Sequence, residues 1–210
     1  MKSNVRPLFL SIAVLLGWFA LVLQLDLSLI DRVIPLFPML VRFFSYFTIL
    51  TNIMVTLGFS FILFSPNSSR GRICSGASFL TAMTVYIVVV GLIYNIILRP
   101  LGTPKGLGIL ANEILHSIIP LMTVLYWVFF VRKQDLQWAD VWLWLLYPFA
   151  YICLVLFIGY FSGHYPYPFI DVLKLGYPRV LLNALGVAVL FAGLSLLLIA
   201  LSRLPWKQED

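Results

Sequence analysis

Long apolar runs alternate with short polar breaks along the whole chain. Six of the runs, at residues 7–25, 42–64, 77–98, 109–131, 138–161 and 178–202, are each long enough to cross a membrane. A hydrocarbon core of roughly 30 Å takes about 20 helical residues at ~1.5 Å of rise. The breaks are short, which predicts an all-α polytopic membrane protein: a single domain over residues 1–210, built as a bundle of six transmembrane helices. The first run follows Lys2 and Arg6, is longer than the core of a secretory leader, and precedes no small-residue cleavage pattern, so it reads as a retained helix.

The polar residues inside these runs are not scattered evenly. With six spans, the ends of spans one, three and five and the beginnings of spans two, four and six share one membrane face. Span one runs out at Gln24 and Asp26, and span two begins with Ser45, Thr48, Thr51 and Asn52. Span three ends with Tyr94 and Asn95, and span four begins with Asn112, Glu113, His116 and Ser117. Span five runs into Ser162 and His164, and span six begins with Asn183. The opposite half of every span is almost wholly apolar. Channels and carriers need polar groups along the path or at the midplane; polarity gathered at one end predicts instead a pocket open to one side over an apolar floor. On these boundaries Thr48 lies six residues into its span and His116 seven into its own, a depth of roughly 10 Å for each.

Composition agrees with the pattern: 62% of residues are hydrophobic and 10% charged, against about a quarter charged in a soluble domain. The net charge of +6 is spread over loops, which disfavours nucleic acid, since phosphate tracking needs clustered cations. Eight cations (Lys2, Arg6, Arg70, Arg72, Arg132, Lys133, Arg203, Lys207) fall on the side of the termini and six (Arg32, Arg42, Arg99, Lys105, Lys174, Arg179) on the other. That bias places both termini in the cytoplasm, in a bacterial inner membrane. Cys74 and Cys153 are too differently placed for a disulfide or a metal pair, and two histidines exclude a multi-histidine metal site. A haem held by His116 and His164 is disfavoured because His164 falls in a loop, so neither metal nor cofactor is expected.

Two constellations carry candidate chemistry. In NEILH, Asn112 and His116 are four apart on one helix face and Glu113 is three before the histidine. An ionisable residue at membrane depth faces a partner or a cavity, and a histidine there suits a general base, or simply bonds a neighbouring helix. In FFSYFTILTN, Thr48, Thr51 and Asn52 share a broad face. Such residues also serve as packing and interhelical glue, but a hydroxyl beside a base becomes a nucleophile. Asn112 would orient the imidazole, and Asn52, Asn95 or Asn183 would donate to an oxyanion. The segment GHYPYPFIDVLKLGY reads as a loop with His164, Tyr165, Tyr167 and Asp171, either a lid over the pocket or an interfacial belt. Arg99 and Lys105 flank a Pro/Gly turn on the same face.

The order SYFTILTN, ANEILHSIIP and HYPYPFIDVLKLG along six spans resembles the androgen-induced and androgen-dependent TFPI-regulating membrane proteins, and more closely a bacterial branch of that superfamily. Those animal proteins hydrolyse fatty acid esters of hydroxy fatty acids with a threonine nucleophile and a histidine. The resemblance implies a threonine-type lipid ester hydrolase in which Thr48 is the nucleophile and His116 the base. Thr51, Asn52 and Glu113 do not match the animal enzymes, and Thr51 stands as a rival nucleophile because the match around Thr48 rests on an aromatic residue before it and apolar residues after it. The expected partners are a lipid ester and membrane lipids. A non-enzymatic carrier or binder of a lipid or small amphiphile, with His116 and Glu113 as a proton-linked switch, and a purely structural subunit are the alternatives.

Overall fold

The computed structural model describes residues 5–102, 104–133 and 135–204; Lys2 and Lys207, two cations of the charge bias, lie outside the described residues. All six expected spans are helices long and apolar enough to cross a membrane: Val5–Ile30, Phe47–Phe64, Ala77–Leu101, Leu107–Phe130, Asp140–Ser162 and Val172–Ser202. No strand occurs among the described residues. The chain divides into two compact units, Met1–Val131 with spans one to four and Arg132–Asp210 with spans five and six.

In the first unit, α1 (Val5–Ile30) turns Leu10, Ala13, Val14, Gly17, Ala20 and Leu21 inward, the narrow seam of small and aliphatic side chains that close packing in lipid requires. Its partner is α3 (Phe47–Phe64). The two approach so closely that a methyl group at Gly17 would stand 2.3 Å from the Thr56 hydroxyl oxygen. Before α3 lies a separate short helix, α2 (Leu36–Phe44). The continuous span expected from residue 42 is therefore interrupted. Ser45 bends its hydroxyl back onto the Arg42 carbonyl at 2.7 Å, and Tyr46 is extended at φ −78°, ψ 125°. The helix restarts at Phe47, which makes Thr48 its second residue rather than one six residues deep.

A short α4 (Ser69–Ser75), capped by the Ser68 hydroxyl, leads into α5 (Ala77–Ile93). Span three then continues as a π-turn over Tyr94–Leu98 and a 3-10 turn over Arg99–Leu101. Span four is built the same way in the other direction: α6 (Leu107–Glu113), a π-turn at Ile114–Ile118, and α7 (Ile119–Phe130). The two wide turns sit at the polar ends of consecutive spans and touch each other.

The second unit pairs α8 (Asp140–Ser162) with α9 (Val172–Ser202). Much of the segment expected as a loop is ordered as helix: a 3-10 turn at Pro168–Ile170, then α9, whose first turn is capped by the Asp171 carboxylate at 3.1 Å from the Leu173 amide. A short helical turn from Val172 ends at a break at Gly176, whose φ of 72° favours glycine, and the long continuous helix of span six follows that break, close to its expected start at 178.

Replacing Gly17 by alanine should destabilise the first unit by about 1–3 kcal/mol through overpacking. The measurement is thermal unfolding in detergent, with a compensating Thr56→Ala change expected to recover most of the lost stability.

Candidate functional site

Proline decides the local chemistry of span four. In the π-turn the Ile119 amide reaches back five residues to the Ile114 carbonyl. The next donor in either helical register is residue 120: Leu115 would use it in a π bond and His116 in an α bond. Residue 120 is proline and has no N–H. A carbonyl left without a donor in the hydrocarbon costs several kcal/mol unless a neighbouring helix supplies one. Two asparagines do so. Asn52 of span two gives its amide to the Leu115 carbonyl at 3.2 Å and to its own Thr48 carbonyl at 2.9 Å. Asn95 of span three gives its amide to the His116 carbonyl at 3.2 Å and to its own Gly91 carbonyl at 2.9 Å. Gly91 makes room, since a methyl group there would lie 3.3 Å from the His116 carbonyl oxygen.

This clamp fixes the imidazole. The His116 Nδ1 lies 2.9 Å from the Asn112 backbone carbonyl. A carbonyl only accepts, so Nδ1 carries the proton and Nε2 keeps its lone pair as the basic nitrogen. The ring stacks on Tyr94 at 3.9 Å between centroids and 27° between planes. The Tyr94 hydroxyl in turn accepts from the Asn112 side-chain amide. The expected orienting role of Asn112 is thus played by its backbone, with the side chain acting through Tyr94.

Glu113 turns to a separate partner. It forms an ion pair with Arg99 and accepts from the Ser117 hydroxyl at 3.0 Å. The Arg99 guanidinium lies 5.4 Å from the centre of the Tyr94 ring. The loop cation of the sequence reading is therefore built into the same cluster. Thr48, Thr51 and Asn52 are all buried at the start of α3. Asn52 ties the turn of Thr48 to the turn that bears His116. Tyr46, just before that helix, is pushed above the usual phenol range by burial, an effect the Arg42 charge opposes.

These bonds commit the amides of Asn52 and Asn95, two of the residues expected to serve an oxyanion, to backbone carbonyls. An asparagine amide has two N–H donors, and in each residue both are spent on carbonyls. They hold the scaffold and have no hydrogen left to give. Asn183 belongs to the second unit, where it donates to the Phe169 carbonyl at 2.8 Å. The segment with His164, Tyr165, Tyr167 and Asp171 is in that unit too. The Tyr165 ring packs against Gly159 so tightly that a methyl group there would lie 2.1 Å away. The His164 amide bonds the Ser162 hydroxyl at 3.2 Å, Asp171 pairs with Lys174 at 3.1 Å, and Tyr167 stacks on Phe169.

Tyr94 joins the candidate site through His116 and Asn112, although the sequence shows it only as one polar residue at the end of span three. The available signal was a repeated spacing: in YNIILRP and in ILHSIIP a proline follows six residues after the first, and each stretch opens with a π-turn. No family model matches the chain, and neither a curated protein nor a solved structure does. What the fold defines is the class: a polytopic α-helical membrane protein with six spans.

Asn95→Ala should cost about 0.5–1.5 kcal/mol, the net range for losing a typical intramolecular hydrogen bond. In a Pro120→Ala background, where residue 120 regains an amide, the same change should cost distinctly less. A double-mutant cycle on thermal stability measures the difference, and equal costs in both backgrounds would refute the clamp.

Proposed function

We propose that this protein is an intramembrane hydrolase of lipid esters, with Thr48 as nucleophile and His116 as base. The observation that carries the reading is the imidazole: its Nδ1 proton is committed to the Asn112 carbonyl, so Nε2 is left as the proton acceptor inside a polar cluster of an otherwise apolar protein. Two further features support it. Asn52 makes the Thr48 and Leu115 turns neighbours. Thr48 is also the second residue of an 18-residue helix, where the helix dipole favours negative charge and would stabilise an alkoxide or oxyanion.

In this mechanism His116 Nε2 takes the Thr48 hydroxyl proton as Oγ1 attacks the ester carbonyl carbon. The tetrahedral oxyanion collapses, the carbon–oxygen bond to the leaving alcohol breaks, and His116 returns the proton to that alcohol. Water, deprotonated by His116, then attacks the acyl-threonine. Fatty acid leaves and Thr48 regains its proton. The apolar halves of the spans suit an acyl chain, and an ester of a hydroxy fatty acid is the substrate class that the motif resemblance suggests.

Thr48→Ala and His116→Ala should each lower turnover of p-nitrophenyl butyrate by the purified protein at least 10²-fold, while Thr51→Ala leaves it within about threefold. Wild-type turnover in both Thr48→Ala and His116→Ala would overturn the assignment. Both termini are proposed to face the cytoplasm of a bacterial inner membrane. An alkaline phosphatase fused after the last span should then be inactive, and one fused in the Pro/Gly turn between spans three and four active.

A further inference from the structure

With both amide hydrogens of Asn52 and of Asn95 committed to carbonyls, the oxyanion of such a reaction needs another donor, and one phenol beside His116 qualifies. Tyr94 is buried, at 7% exposure, and its ring lies face to face with the imidazole at 3.9 Å. Its hydroxyl oxygen accepts from the Asn112 amide. Among the described residues its own proton is given to no acceptor. An O–H whose oxygen already accepts a hydrogen bond is polarised and donates more strongly, and the Arg99 guanidinium 5.4 Å from the ring adds to that polarisation. We propose that Tyr94 is a catalytic residue that donates its phenolic hydrogen bond to the ester carbonyl oxygen of the substrate as that oxygen becomes negative. The ligand chemistry is therefore a carbonyl whose oxygen gains charge in the transition state.

The assignment gives Asn112 a double duty. Its carbonyl fixes the proton on His116 Nδ1 and its side chain fixes the lone pair of Tyr94, so base and donor are set by one residue of span four. The bond from Tyr94 shortens only as charge develops, which places its contribution in the transition state and not in substrate binding.

The proposal rests on the hydrolase reading, and the experiment separates the two. Full-length protein in nanodiscs is assayed with p-nitrophenyl butyrate and with a trifluoromethyl ketone inhibitor, whose adduct with a threonine hydroxyl carries the oxyanion. Tyr94→Phe keeps the stacked ring and removes the O–H. It should lower kcat about 10²-fold with KM within threefold, and weaken the ketone in proportion. The 15N signals of the His116 ring, read in a His164→Gln background, should keep the Nδ1–H tautomer, which distinguishes a lost donor from a misplaced base. Asn112→Ala, which leaves the Tyr94 hydroxyl in place without the Asn112 amide, should lower kcat by less than Tyr94→Phe does. If Tyr94→Phe retains kcat and ketone affinity within threefold of wild type while His116→Ala is inactive, the Tyr94 assignment falls and the hydrolase stands. If Thr48→Ala and His116→Ala both turn over normally, both fall together.

Discussion

A missing amide hydrogen organises the polar end of the first unit. Pro120 cannot donate, the π-turn before it consumes the Ile119 amide, and two consecutive carbonyls of span four are left facing neighbouring helices. In water such carbonyls would be solvated; inside a bilayer they must find donors in the protein. Asn52 and Asn95 meet that demand from two different spans, and each braces itself on the carbonyl four residues back in its own helix. Three spans are therefore held in one register by the same pair of side chains.

That register has chemical consequences. A π-turn widens the helix and turns the following face, and here it brings His116 onto the ring of Tyr94 and its Nδ1 onto the Asn112 carbonyl. The polar residues of the cluster are thereby divided by task. The two asparagines from spans two and three hold backbone and Glu113 pairs with Arg99, while the proposed reaction draws on the Thr48 hydroxyl, the imidazole Nε2 and the phenol hydrogen. In the proposed reaction an uncharged base and an uncharged donor would suit a site in hydrocarbon, where burying an unpaired ion is costly.

Hydropathy alone located all six spans, because twenty consecutive apolar side chains leave a helix across the bilayer as the only way to satisfy the backbone. The ends were less legible. Residues 42–44 look like the start of span two, yet the Ser45 hydroxyl competes for the Arg42 carbonyl and breaks the helix before Thr48. The stretch before span six looks like a loop because of its prolines and tyrosines, yet Asp171 caps a helix there. Both are contests between local hydrogen bonds of similar strength, which apolar periodicity does not register.

The sequence by itself determined the class of protein, the number of spans and the gathering of polar residues at one end, since each follows from the cost of placing side chains in lipid. It also placed Asn52, Asn95, Asn112 and His116 at that end. Only the tertiary structure decided what each does. Whether an asparagine amide is available to a ligand depends on which carbonyls of other helices lack donors. That is settled by a proline and a change of helical register on a span distant in sequence from Asn52.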